Sequence, residues 1–266
     1  MKFLIQVEYS EKFLGYIPAF DFCYTVLDLI NRHNWLHSFD LNDLIDYKII
    51  TYEQLLLFDA KDLDLIPIGS VEFCLTWYRL KGIENIKPLN IPSELFKYCS
   101  RYIGYTSHIC QDHPPLKDYE DCKFMVKSSD NIKDKINGIY SLKNIWEEFK
   151  NLNHFMTLWK NDVVSEWRIF VFDPDNGLRY WYAKNYLGNP LIVPNEWYIK
   201  EVLFEYGIQK KKKVYTLDVM IYKDETTDIL ELHDFFGCGL YGFNDAILLS
   251  MYNVAHKEIM EEYKKK

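Results

Sequence analysis

Tyr215–Phe236 reads YTLDVMIYKDETTDILELHDFF, two apolar runs on either side of the polar segment KDETTD. Runs rich in β-branched and aromatic residues that flank a polar turn read as an antiparallel hairpin. With KDETTD as the turn, Tyr222 pairs with Ile229, Met220 opposes Glu231, and Asp218 opposes His233. Side chains alternate between faces along a strand. Leu217, Val219 and Ile221 then share an apolar face with Leu230 and Leu232, while Asp218, Glu231 and His233 gather on the other. Facing carboxylates repel, and a hard cation with oxygen ligands, such as Mg2+ bridging substrate phosphates, resolves the conflict. The plainer reading is the solvated face of an edge hairpin. Spacing alone leaves both open.

Upstream, SEWRIFVFDPDNGLRYWYAKNYL (165–187) predicts a second hairpin, with DPDNG as its turn. As a strand, EWRIFVF puts Glu166 and Arg168 on one face and Trp167, Ile169 and Val171 on the other. Arg168 either forms a surface ion pair with Glu166 or offers its fork of donors to a phosphate. Lys127 in FMVKSSD and Lys135 in DKING stand at the ends of two expected strands, the second being INGIYSL. Each is a point charge suited to a phosphate or to solvent. NIWEEFKNL, NEWYIKEVLFEYG (ending at Gly207) and FNDAILLSMYNVAHKEIMEEYKKK predict helices.

The first 90 residues alternate short strands with helices: MKFLIQVEY is a strand, Phe22–His33 a helix, and Gly69 a turn before another helix. That alternation predicts a small α/β domain, joined by the proline-bearing connector IKPLNIPSEL to a second region over 91–266. The formal charge of −8 and pI near 5.4 disfavour binding to polyphosphate backbones, so a nucleic-acid end-joining role is a weak rival. The basic run Lys210–Lys213 reads as a solvated turn. No apolar stretch is long enough for a spanning helix, the N-terminus is not a signal peptide, and six cysteines lack a C-x-x-C pair; a cytoplasmic setting follows. His33 and His37 lack a third ligand, Cys238 reads as a buried thiol, and P-loop, Rossmann, serine-hydrolase and zincin motifs are missing.

Taken together, IPIGSVEF near Gly69, VKSSD with KING, SEWRIFVF, YTLDV and LELHDFFGCGLYG resemble the ATP-grasp superfamily over roughly residues 67–245. More narrowly they resemble its phage and bacterial clade named for one arginine and two lysines. The resemblance implies an α+β fold in which two α+β subdomains grip ATP, preceded by a small α/β pre-ATP-grasp domain. It implies ATP and Mg2+ as cofactors and a carboxylate–amine ligase, with a peptide or protein as an acceptor, in the cytoplasm (the host's, if the chain is viral). Lys127 and Lys135 would bind nucleotide phosphates, Arg168 would stabilise the transferring phosphoryl group beside Glu166, and Leu158 and Trp159 would lie at the adenine hinge, near Leu158–Asp162. Asp218 and Glu231 would hold the metal. Where the clade carries Asn as its next metal ligand this chain has His233, and Asp234 could substitute only if a bulge re-aims it. Imidazole is a poorer Mg2+ ligand than oxygen, which leaves open weakened activity, a move to Mn2+, or nucleotide binding without turnover, as in an assembly chaperone. Arg168→Ala is expected to spare ATP binding and cut turnover about a hundredfold. Asp218→Asn is expected to weaken Mg-ATP binding and leave the fold intact.

Overall fold

The structure is a computed structural model. It describes residues 1–40, 42–60, 63–86, 89, 91–100, 102–106, 121–127, 138–149, 152, 154–160, 162–174, 180–208 and 212–264. The fold is α+β, with three sheets among the described residues.

The first sheet is centred on β1 (Lys2–Ser10), which pairs in parallel with β3 (Asp46–Ile50) and β4 (Ile66–Ile68) and antiparallel with β2 (Gly15–Pro18). Phe3, Leu4 and Ile5 are all buried, as befits a strand covered on both faces. Phe3 and Ile5 meet Cys23, Val26 and Ile30 of α1 (Asp21–Leu36), while Leu4 joins Phe73, Cys74 and Trp77 of α3 (Val71–Leu80). The period of two in β1 thus chooses which helix each residue touches. Between β3 and β4, Thr51 starts the one-turn α2 (Tyr52–Leu55) with a capping box completed by Gln54.

The second sheet is antiparallel, ordered β10-β9-β11-β12, from β9 (Val163–Phe172), β10 (Tyr180–Gly188), β11 (Val214–Tyr222) and β12 (Thr227–Asp234). Residues 175–179, which take in the last three of the expected DPDNG turn, lie outside the described residues. On one face Ile169, Val171, Leu217, Val219, Ile229 and Leu232 pack on α5 (Glu196–Ile208). On the other, Phe170, Phe172 and Val214 enter the core of the first sheet. The final helix α6 (Ile247–Lys264) completes that core with Leu248, Met251 and Tyr252. Arg168 and Asp218, paired across β9 and β11, continue this second face.

The third sheet, ordered β5-β8-β6-β7, contains β5 (Tyr102–Tyr105), β6 (Lys123–Lys127), β7 (Gly138–Ser141) and β8 (Phe155–Leu158). Its own small core joins Phe124, Val126 and Met156 to Ile145 and Phe149 of α4 (Leu142–Phe149). Both chain crossings into this sheet are fastened to the β11–β12 hairpin. Ser100, before β5, donates its backbone N–H and hydroxyl to Asp228 at 2.9 and 2.8 Å. Past β8, the Asp162 carbonyl accepts from the Lys223 N–H at 3.0 Å.

The connector carries a 3-10 helix over Ser93–Tyr98, and its Ile91 and Leu95 are buried against the second sheet. Lys212 and Lys213 are docked, not simply solvated; Lys212 pairs with Glu262 at 2.8 Å and the Lys213 N–H donates to Glu258 at 2.8 Å. Strands β5 and β8 were not anticipated, being four residues each without an alternating pattern. Among the described residues no helix is long and apolar enough to cross a membrane, and the five described cysteines are free.

Candidate functional site

The hairpin register differs from the one its sequence suggests. The Tyr222 N–H donates to the Thr226 carbonyl at 3.0 Å, which confines the turn to Lys223–Thr226. Ile221 then faces Thr227, Met220 faces Asp228 and Val219 faces Ile229. A bulge leaves Leu230 without a register partner, and pairing resumes with Asp218 opposite Glu231 and Thr216 opposite His233. An inserted residue offsets the alternation by one. The outcome is that Ile229, not Leu230, enters the core, and the two carboxylates stand directly across from each other.

Arg168 sits beside Asp218 on the neighbouring strand. Its Nε and one terminal nitrogen donate to both Asp218 oxygens, each at 2.7 Å, and its other terminal nitrogen donates to the Gly239 carbonyl at 3.2 Å. Arg168 is 6% exposed and Asp218 2%, so this is a buried, bidentate pair. Its carboxylate partner is therefore Asp218 and not Glu166. Burial opposes the charge on Arg168, but the bond to Asp218 and its charge outweigh it and raise the guanidinium pKa.

Glu231 bonds to Lys127 of β6 and to His233. His233 Nε2 lies 3.7 Å from Asp218 Oδ2. Burial alone would raise the Glu231 pKa; the His233 bond and the Lys127 charge hold it well below the ordinary carboxylate range. Burial would likewise lower His233, yet Asp218 and Glu231 raise it. The groups form one alternating series of charge, Lys127, Glu231, His233, Asp218 and Arg168, drawn from β6, β12, β11 and β9. All but Lys127 border a cavity of about 320 Å3 whose walls also include Asp234, Tyr186, Tyr241 and Val71 at the start of α3.

One donor atom each from Asp218, Glu231 and His233 lies within 4.8 Å of the others. A carboxylate has about four lone-pair positions, so Asp218 can accept from Arg168 and still face this cluster. Two carboxylates and an imidazole fit a divalent cation, the imidazole being the weaker match to Mg2+.

Of the residues singled out from sequence, Lys127, Arg168, Asp218, Glu231 and His233 converge. Asp234 borders the same cavity but stands outside the cluster of candidate ligand atoms: no bulge separates it from Glu231, it pairs with Tyr215, and its carboxylate accepts the Leu89 N–H at 2.7 Å. Leu158 and Trp159 lie at the end of β8, where the chain leaves the third sheet, and the Trp159 N–H is taken by the Lys123 carbonyl at 2.8 Å. Lys135 lies outside the described residues. His33 and His37 stack on the surface at 4.4 Å, and the buried Cys238 thiol donates to Phe235, its pKa pushed up to about 12 by burial. Tyr186 and Tyr241 went unseen; the glycines of GCGLYG were the one hint of an unusual loop at Tyr241, and nothing marked Tyr186.

A model of the ATP-grasp domain, R2K clade family 2, matches residues 120–251. No curated protein matches the sequence. The crystal structure of D-cycloserine synthetase is similar at a TM-score of 0.53 and 10% identity, over 97% of this chain and 99% of that one. N5-carboxyaminoimidazole ribonucleotide synthetase in its ADP complex gives 0.42 at 12% identity, over 72% of this chain and 59% of that one. A macrocyclase bound with its precursor peptide, from Microcystis aeruginosa, gives 0.41 at 12%, over 95% and 100%. The chain belongs to the ATP-grasp superfamily, and its residues 120–251 carry the match to the R2K clade.

Proposed function

We propose that this protein is an ATP-dependent ligase that activates a carboxylate as an acyl-phosphate and joins it to an amine. The observation that carries this reading is that Asp218 and Glu231 meet cations from two different sheets, Arg168 beside Asp218 at the cavity and Lys127 bonded to Glu231. Residues 1–90 would be the pre-ATP-grasp domain and residues 91–266 the ATP-grasp domain, with Leu158 and Trp159 at the adenine hinge.

Asp218 and Glu231, with His233 beside them, would hold a divalent ion, which supplies charge neutralisation at the phosphates. Lys127, joined by Lys135 on the strength of the family resemblance, neutralises the nucleotide phosphates. Arg168 offers donors to the transferring phosphoryl group from a nearly dry site, where such contacts are strong. A substrate carboxylate oxygen bonds to the γ-phosphorus as the bond to ADP breaks. The amine nitrogen then attacks the acyl carbon, phosphate leaves with its electron pair, and the amine gives up a proton. No protein nucleophile is required.

His233 favours a second reading, an ATP-binding assembly chaperone with little ligase activity, because imidazole suits Mg2+ less well than oxygen. Calorimetry with AMP-PNP and Mg2+ or Mn2+ tests binding, and an ADP-release screen over paired carboxylates and amines, peptides included, tests chemistry. Release that requires both partners supports the ligase. Tight binding with no release supports the chaperone, and no binding under either metal removes both.

A further inference from the structure

Two tyrosines beside Arg168 have no part in the chemistry above. The rings of Tyr186 and Tyr241 stack with centroids 4.8 Å apart and planes 21° from parallel. The guanidinium carbon of Arg168 lies 5.1 Å from the Tyr241 centroid and 5.9 Å from that of Tyr186, both inside the roughly 6 Å reach of a cation–π contact. Both rings line the cavity.

Separate backbone irregularities bring them there. Tyr186 is the extra residue of a bulge, since Asn185 pairs with Trp167 and Leu187 with Glu166. Bulges re-aim side chains beside functional sites, and here the bulge brings the Tyr186 ring against that of Tyr241. Tyr241 has a left-handed backbone, φ 47°, followed by Gly242 at φ 79°. A residue with a Cβ resists that conformation, so its neighbours must enforce it. Gly239 contributes twice: its carbonyl accepts from Arg168, and a Cβ there would come within 3.1 Å of the Tyr241 ring.

Asp218 grips one edge of the guanidinium, yet the same carboxylate belongs to the candidate metal cluster. Aromatic faces orient the guanidinium plane without consuming any N–H. We propose that Tyr186 and Tyr241 are positioning residues that hold the Arg168 plane toward the cavity, so that its donors meet the phosphoryl group during transfer. This inference rests on the ligase reading of Arg168.

The test uses the full-length protein with Mg2+ and two probes, AMP-PNP for the ground state and ADP with aluminium fluoride for the transferring phosphoryl. Tyr241→Gly removes the ring and relieves the left-handed backbone, so its thermal midpoint should not fall. Its AMP-PNP affinity should stay within about threefold, while affinity for ADP with aluminium fluoride drops about tenfold or more; Tyr241→Phe should restore the latter. Equal affinity of wild type and Tyr241→Gly for both probes overturns the tyrosine role and leaves the ligase reading standing. A matching loss for both probes, or no rescue by phenylalanine, overturns it as well. A wild type that binds neither probe overturns the ligase reading and this inference together.

Discussion

Lys127 on β6 and Glu231 on β12 form an ion pair that ties the third sheet to the second across the candidate site. Both side chains are less than a third exposed, which limits screening by solvent. Nucleotide phosphates placed here would compete with Glu231 for the ammonium. Lys127→Met should therefore weaken AMP-PNP binding by about tenfold or more, equivalent to about 1.4 kcal/mol. Calorimetry reads this directly, and an unchanged affinity would take Lys127 out of the phosphate cradle.

Asp218→Asn now carries a different expectation from the one its sequence context gave. Because Arg168 is buried against that carboxylate, removing the charge strands a guanidinium in a nearly dry site. Breaking one side of such a pair costs about 3–5 kcal/mol. Urea unfolding should show a loss of that order for Asp218→Asn, and a smaller one for the joint replacement Arg168→Met with Asp218→Leu. A variant as stable as wild type would mean that solvent reaches the pair.

Much of this was legible in the sequence. The apolar runs around Asp218, Glu231 and Arg168 marked both hairpins and placed Ile169, Val171, Leu217, Val219 and Leu232 on the inner face, because burial and period two speak through the same residues; Leu230, expected there too, gives way to Ile229. The pairing register was not legible. A four-residue turn with a bulge at Leu230 and a six-residue turn without one both place acids near Asp218, and only tertiary packing selects Ile229 for the core. The stack of Tyr186 on Tyr241 was equally hidden, since it depends on a bulge and a left-handed residue that spacing does not encode. Nor could the burial of Arg168 be read from a strand that also carries Glu166.

His233 gives the metal-free protein a pH dependence. Its folded-state pKa lies above the ordinary 6.5, because the bond to Glu231 and the nearby Asp218 carboxylate outweigh burial. A raised histidine pKa contributes stability that is fully present below about 6.5 and is lost as pH climbs through the folded value. Glu231, depressed from 4.5, contributes in the opposite sense: its share is present above 4.5 and lost as pH falls through its lowered value. Thermal melts in EDTA should thus decline from about pH 6.5 upward, and His233→Asn should flatten that decline. Identical slopes for the two proteins would show that the imidazole is not paired with the carboxylates.

Leu230 offers a sharper check on the hairpin. It is the bulged residue, and the pairs on either side, Val219 with Ile229 and Asp218 with Glu231, already obey strict alternation across it. Deleting Leu230 should therefore leave Ile229 in the core and Glu231 opposite Asp218, altering only local twist. Under the register drawn from sequence alone, in which Glu231 opposes Met220 and Leu230 belongs to the apolar face, the same deletion would carry one of the two residues to the wrong face. A cooperative thermal transition and AMP-PNP affinity within about threefold of wild type are expected, on the scale of a local perturbation. Collapse of the transition would restore the six-residue turn and separate the two carboxylates.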